Sequence, residues 1–168
     1  MDAGAPEGSW TPSADDRSWV EQQLGRGAKI PFRAARRSSD GRPIVIELAA
    51  FDQEGTPQSN WFWLVDRQLV AAVSRLESVG GVRLAASAVD AAALDLANRS
   101  YRSGRPELAH MQGRGVGGAR AGVKCLHAHV AFYLAGGFTP VGVWAIARLY
   151  WSDRPLLEAL VGETLCES

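Results

Sequence analysis

The longest run without a charged side chain covers residues 125–147, and this run constrains the fold more than any other feature of the chain. It is apolar enough for a protein interior, but it holds two histidines and is interrupted at Gly136-Gly137 and at Thr139-Pro140. A membrane-spanning helix needs about 20 consecutive apolar residues, so these breaks argue against membrane insertion. The run therefore predicts the centre of a globular core, with a helix that ends at Gly136-Gly137.

Length and charge narrow the class of protein. A chain of 168 residues fits a single domain that buries roughly 70% of its unfolded surface. Acidic and basic residues balance at 18 each, so we expect no general nucleic-acid binding. Cys125 and Cys166 do not make a disulfide framework, and the amino terminus lacks the apolar core of a signal peptide. We therefore expect a cytoplasmic protein. The sequence does not identify its protein partners.

The order of local signals predicts the domain and its elements. Residues 1–17 are rich in Gly, Pro, Ser and Asp and predict a disordered tail, so the globular domain is expected to span residues 18–168. Ser18 is the expected cap of a first helix that Gly25 ends.

The remaining segments alternate between strand-like and helix-like patterns. The expected strands are 29–37, 42–51 and 61–65, and the expected later helices are 67–81, capped by Asp66, 88–102, 123–137 and 153–165. The segment 141–151 fits either a strand or a helix. Together they predict a small α+β domain, in which about four or five helices pack a short, mostly antiparallel sheet.

Six short segments stand out as motifs, and the one at 124–129 is the most specific. They read GRP at 41–43, FWL at 62–64, SRLE at 74–77, GVGG at 115–118, KCLHAH at 124–129 and PVG at 140–142. Over most of residues 30–145 the chain thereby resembles a bacterial family of uncharacterised proteins, domain of unknown function 501. The resemblance implies no established activity. It also implies a Cys-Pro after the third strand and a cysteine after an arginine pair. This chain reads VDR and RRSSDG there, so neither cysteine is available as a metal ligand.

A glycine-rich loop precedes the KCLHAH segment. Its Gly113, Gly115 and Gly118 satisfy G-x-G-x-x-G, but the preceding RPELAHMQ is a poor strand and no acidic residue follows before Asp153. These two departures exclude a dinucleotide-binding fold. Converging backbone N–H groups at the start of a helix still suit a phosphate or a carboxylate. The predicted anion-binding residues are Arg114, Gly115, Gly117, Gly118, Arg120 and Lys124. The alternative is a flexible connector with solvated arginines.

Helical spacing in KCLHAH decides which side chains can act together. At about 100° per residue, Cys125 and His129 share one face, while His127 lies with Lys124 on nearly the opposite one. Cys125 and His129 are then the predicted metal ligands, with zinc as the candidate metal. The alternatives that would complete a four-ligand site are His110, Cys166 or an acidic residue such as Glu107. A strand would instead turn Cys125, His127 and His129 to one side, but the length of the segment favours the helix.

Three interpretations of these side chains stay open. Cys125, His127 and His129 are the catalytic candidates, because an imidazole beside a thiol favours the reactive thiolate. His127 and Lys124 would also form a cationic edge of the anion pocket. The structural interpretation is a small buried cysteine and a hydrogen-bonded histidine within a core helix.

The leading functional hypothesis is binding of a small anionic ligand, for example a phosphorylated one, at the 113–124 loop beside the KCLHAH helix. If the protein is an enzyme, hydrolysis or group transfer at a phosphate or acyl centre is the expected class. The alternatives are a non-catalytic regulatory or protein-interaction domain and, third, a structural zinc site.

Overall fold

The computed structural model describes residues 10–110 and 114–162. The strands are β1 (Phe32–Arg37), β2 (Pro43–Leu48) and β3 (Phe62–Leu64). The helices are α1 (Ala14–Leu24), α2 (Arg67–Ser78), α3 (Gly81–Ala88), α4 (Ala91–Ser103), α5 (Leu126–Leu134), α6 (Pro140–Ser152) and α7 (Arg154–Val161). Single 3-10 turns at Pro106–Leu108 and Val116–Gly118 lie between α4 and α5. The predicted α+β class is confirmed, with seven helices in the described ranges where about four or five were expected.

The sheet is antiparallel in the order β1-β2-β3, and its β1-β2 pair is the hairpin that the turn signal predicts. Ile44, Val45 and Ile46 follow one another on β2 and are all buried. Successive side chains of a strand point to opposite faces, so both faces of this sheet are covered. On one face, Val20 of α1 packs in a cluster with Phe32 and Ile46, whereas the other helices build the larger core.

The first helix begins earlier than predicted. The side chain of Ser13 accepts the N–H of Asp16 at 3.1 Å, and the helix starts at Ala14. The expectation that Ser18 caps it is wrong, because the earlier serine already satisfies a free N–H of the first turn. Residues 14–17 of the predicted tail are therefore helical, while residues 1–9 lie outside the described residues. Gly25 ends the helix in the left-handed conformation, as expected.

An additional helix, α3, lies between the expected helices 67–81 and 88–102, and α4 corresponds to the second of these. Gly80 adopts a left-handed conformation (φ 86°), and α3 follows it directly. α4 begins beyond Asp90, whose carboxylate accepts the N–H of Ala93 at 2.8 Å. An aspartate cap of this kind starts a new helix, so the alanine-rich run does not continue unbroken from α3.

Helices α5 and α6 form the centre of the core, as the uncharged run predicts. The segment 141–151 belongs to α6, which Thr139 caps and Pro140 opens. Gly142 lies where the two helices meet: a Cβ there would lie 2.6 Å from Cβ of Tyr133 and 2.8 Å from the carbonyl oxygen of His129. α5 also contacts β3 and α2, and these contacts bring the KCLHAH segment beside both. Across the described residues, no helix combines the length and the apolar character needed to cross a membrane.

Candidate metal-binding site

Cys125 is the N-cap of α5 and lies outside its regular turns. Its backbone is extended (φ −158°, ψ 134°), and its Sγ accepts the N–H of Ala128 at 3.4 Å. The spacing that placed Cys125 and His129 on one face applies only between helical residues, so it does not support pairing these two side chains. The strand alternative is wrong, because Leu126–Leu134 is helical.

Glu77 reaches this helix start from the last turn of α2. Its Oε1 accepts the backbone N–H of Leu126 at 2.6 Å, so the carboxylate caps the first turn of α5. The partial positive charge at a helix N-terminus attracts anions. Here a side chain of the chain itself supplies the negative charge that was expected from a ligand.

The imidazole of His127 is held on both nitrogens. Nε2 lies 3.2 Å from the carbonyl oxygen of Val70 and 3.1 Å from Oγ of Ser74, while Nδ1 lies 3.3 Å from Oε1 of Glu77. A carbonyl oxygen can only accept, so Nε2 carries the hydrogen that is donated to Val70. Nδ1 then either carries a second proton toward the carboxylate or offers its lone pair to another group.

The surroundings favour the protonated form of His127. The hydrogen bond with Cys125 raises its pKa most; burial opposes the rise, and the charge of Glu77 adds to it. The side chains of His127 and Glu77 are each 26% exposed, so the pair lies at the edge of the interior. The charge of Glu77 therefore adds to the preference for a positively charged His127 ring.

Glu77, Cys125 and His127 form a group of possible metal ligands. One ligand atom of each lies within 4.8 Å of the other two. Two ligands of one tetrahedral zinc are about 3.3 to 3.8 Å apart, given bond lengths of about 2.0 to 2.3 Å. The 3.3 Å between Nδ1 and Oε1 already meets this spacing. The group therefore fits the sulfur, nitrogen and oxygen donors that zinc accepts, with modest side-chain adjustment around Cys125.

His129, the other predicted ligand and catalytic candidate, lies in the core and is surrounded by residues with a structural role. It is fully buried, and its Nδ1 lies 2.7 Å from Oγ1 of Thr139, which accepts the N–H of Gly142 at 3.4 Å. The threonine hydroxyl can therefore donate to Nδ1, which leaves the hydrogen on Nε2 without a partner among the described residues. Burial lowers the pKa of His129 to about 4. The core interpretation that was left open for a histidine of this segment applies to His129.

The glycine-rich loop uses several of its amides internally. Gly115 donates to the Ala119 carbonyl at 2.7 Å, Gly118 donates to the Gly115 carbonyl at 2.9 Å, and Val116 donates to Oδ1 of Asn98 at 3.0 Å. These N–H groups are not available to an anion, which weakens the predicted backbone cradle. Gly113 lies outside the described residues.

A pocket of about 290 Å³ opens beside Cys125 and His127. Two of the predicted anion-binding residues line it, namely Gly117 and Lys124. Its lining does not include the other four, which are Arg114, Gly115, Gly118 and Arg120. Arg114 and Arg120 are exposed. Lys124 is exposed as well, but of these three cations it is the one that lines the pocket.

Sequence reasoning missed the roles of Glu77 and Ser74. Both lie in the SRLE segment, which marks them as part of a motif but carries no sign of contact with a segment about fifty residues later. Of the residues proposed to complete a zinc site, Glu107 and His110 are exposed and belong to no ligand group among the described residues. Cys166 lies outside the described residues.

The fold and the site together define a small helix-rich α+β domain with a carboxylate, thiol and imidazole group at a helix start. The chain belongs to the family described as protein of unknown function (DUF501), whose model matches residues 34–105 and 90–147. The match includes Glu77, Cys125 and His127 and agrees with the resemblance carried by the six motifs. No curated protein and no solved structure matches the chain.

Proposed function

We propose that this protein binds a zinc ion through Glu77, Cys125 and His127, and that the remaining coordination position takes a small anionic ligand. The observation that carries the proposal is the convergence of the three ligand atoms within 4.8 Å of one another. Zinc accepts thiolate, imidazole and carboxylate, and three protein ligands with one open position are typical of catalytic rather than closed structural sites.

The hydrogen bonds of His127 support a metal-binding role. Nε2 donates to the Val70 carbonyl, as the outer nitrogen of a zinc-bound histidine usually does toward a carbonyl or carboxylate. This contact sets the orientation of the ring and directs Nδ1 toward Glu77. The Leu126 N–H in turn holds the Glu77 carboxylate in place.

The same contacts argue against a Cys–His nucleophile pair. In such a pair the thiol and an orienting acid contact opposite nitrogens of the imidazole. Here Val70 and Ser74 lie at Nε2 and Glu77 lies at Nδ1, so neither nitrogen is left to the thiol alone. Three donor groups within 4.8 Å of one another suit coordination of a metal better than a proton relay.

The zinc supplies a Lewis-acidic centre when it is bound. Glu77, Cys125 and His127 would hold the ion, and Lys124 lines the pocket that opens beside Cys125 and His127. A proton on Nδ1 of His127 competes with the metal, so zinc affinity is expected to fall as the pH decreases.

Metal analysis of tag-free protein, expressed with zinc and exchanged into metal-free buffer, tests the proposal. We expect close to one zinc per wild-type chain. Loss of an outer-shell partner alone weakens metal binding by about 10- to 100-fold, so Cys125→Ser and His127→Gln, which remove direct ligands, should weaken it by at least that factor. His110→Gln is the matched control, because His110 is exposed and outside the ligand group, and it should keep its zinc. A wild-type protein without zinc, or a Cys125→Ser, His127→Gln double variant with full zinc content, would falsify the proposal.

A further inference from the structure

The pocket beside Cys125 and His127 combines one cationic side chain with an apolar wall. Lys124 and Asn60 provide polar groups at its lining, while Phe62, Leu64 and Ala128 provide apolar surface. We infer that the ligand of this pocket is a small monocarboxylate with an apolar body. Its carboxylate would contact the metal and Lys124, and its body would lie against Phe62, Leu64 and Ala128. This inference rests on the proposed zinc site.

The charge of the pocket favours a monoanion over a phosphorylated compound. Within the part of the chain that the structure describes, Lys124 is the only lysine or arginine in the pocket lining. Sites for polyphosphates combine several cations with a cradle of free backbone N–H groups. In the loop that would form this cradle, the N–H groups of Gly115, Val116 and Gly118 already donate hydrogen bonds within the protein. One lysine and one open metal position match the single charge of a carboxylate.

The walls and the size of the pocket favour a compact apolar body. Phe62 stacks on Trp61 at 4.7 Å between ring centroids and on Phe132 at 5.9 Å, so this wall is held by an aromatic cluster. Ala128 lies in the first turn of α5, and a Cβ added at Gly117 would lie 2.9 Å from its methyl group. The volume of about 290 Å³ lies just below the usual range for ligand pockets, which starts near 300 Å³. A single ring with a carboxylate is of suitable size for this space.

Calorimetric titration of zinc-loaded protein with benzoate, acetate and inorganic phosphate tests the inference. Benzoate carries the charge and the apolar body, acetate carries only the charge, and phosphate lacks the apolar body. We expect benzoate to bind about tenfold or more tightly than either of the other two. Lys124→Gln removes one charge-assisted contact, so it should weaken benzoate binding by about tenfold while zinc content stays unchanged.

Arg120→Gln is the matched control, because Arg120 is exposed and does not line the pocket. It should bind benzoate like the wild type, and zinc-free wild-type protein should bind it more weakly. The inference is wrong if acetate or phosphate binds as tightly as benzoate, if Lys124→Gln binds benzoate like the wild type, or if zinc removal has no effect. If zinc-loaded protein does not bind benzoate, this inference alone is wrong. If the wild-type protein does not bind zinc, the proposed function and this inference are both wrong.

Discussion

The crossing of α5 and α6 depends on the absence of a side chain at Gly142, and Gly142→Ala tests how closely these helices approach. A Cβ at this position would lie 2.6 Å from Cβ of Tyr133, 2.7 Å from Cγ2 of Thr139 and 2.8 Å from the carbonyl oxygen of His129. All three separations are shorter than side-chain contacts normally allow, and one involves backbone that cannot rotate away. The two helices must therefore move apart to accept the methyl group.

The size of the effect follows from two opposing contributions. Overpacking a close-packed interior costs about 1 to 3 kcal/mol, and the rigid carbonyl of His129 places this site in the upper part of that range. Alanine gains at most about 1 kcal/mol over glycine from helix propensity. We therefore expect Gly142→Ala to lower the free energy of unfolding by about 1 to 2 kcal/mol. The corresponding fall in Tm is about 2 to 8 °C for a chain of this length.

Urea unfolding followed by tryptophan fluorescence measures this change, since the chain holds six tryptophans. Gly27→Ala is the matched control, because Gly27 does not have a positive φ and an added Cβ would meet only Oε1 of Glu21, at 4.0 Å. We expect the control to be as stable as the wild type or up to about 1 kcal/mol more stable. If Gly142→Ala and Gly27→Ala unfold at the same urea concentration, the helices do not cross as closely as described.

Two further predictions concern buried polar groups. The pKa of His129 is about 4 in the folded protein and about 6.5 in the unfolded chain. Between these two pH values the unfolded state binds more protons than the folded state. The stability of the folded protein therefore falls as the pH decreases through this range. Between pH 7.5 and pH 5, the free energy of unfolding measured in urea should fall by about 2 kcal/mol more for the zinc-free wild type than for His129→Gln. Equal decreases in the two proteins would contradict the lowered pKa of His129. Asn98→Ala leaves the buried N–H of Val116 without its acceptor and should cost about 1 to 3 kcal/mol. Asp95→Ala is the control, because Asp95 lies on the exposed side of the same helix, and it should lower the free energy of unfolding by less than about 0.5 kcal/mol. A similar decrease in both variants would count against the hydrogen bond between Val116 and Asn98.

Signals that act over a few residues were sufficient to predict most elements of the fold. Asp66 caps α2 through a hydrogen bond from the N–H of Leu69, and Gly25 ends α1 in the left-handed conformation, both as expected. The antiparallel hairpin of β1 and β2 follows from two β-rich runs around a turn. Such signals fail where two caps compete, as at Ser13 and Ser18, because the sequence pattern does not say which serine finds a free N–H.

The candidate site needed the tertiary structure. The sequence marked 124–129 as the most specific segment and named Cys125 and His127 as candidates, and these two side chains do lie together. It paired Cys125 with His129 instead, since helical spacing was extended one residue beyond the point where the helix begins. Glu77 joins the group only because α2 packs against α5, a contact between segments about fifty residues apart. Local patterns determine which residues are helical. The packing of one element against another decides which side chains meet, and the spacing of residues within a short segment does not determine that packing.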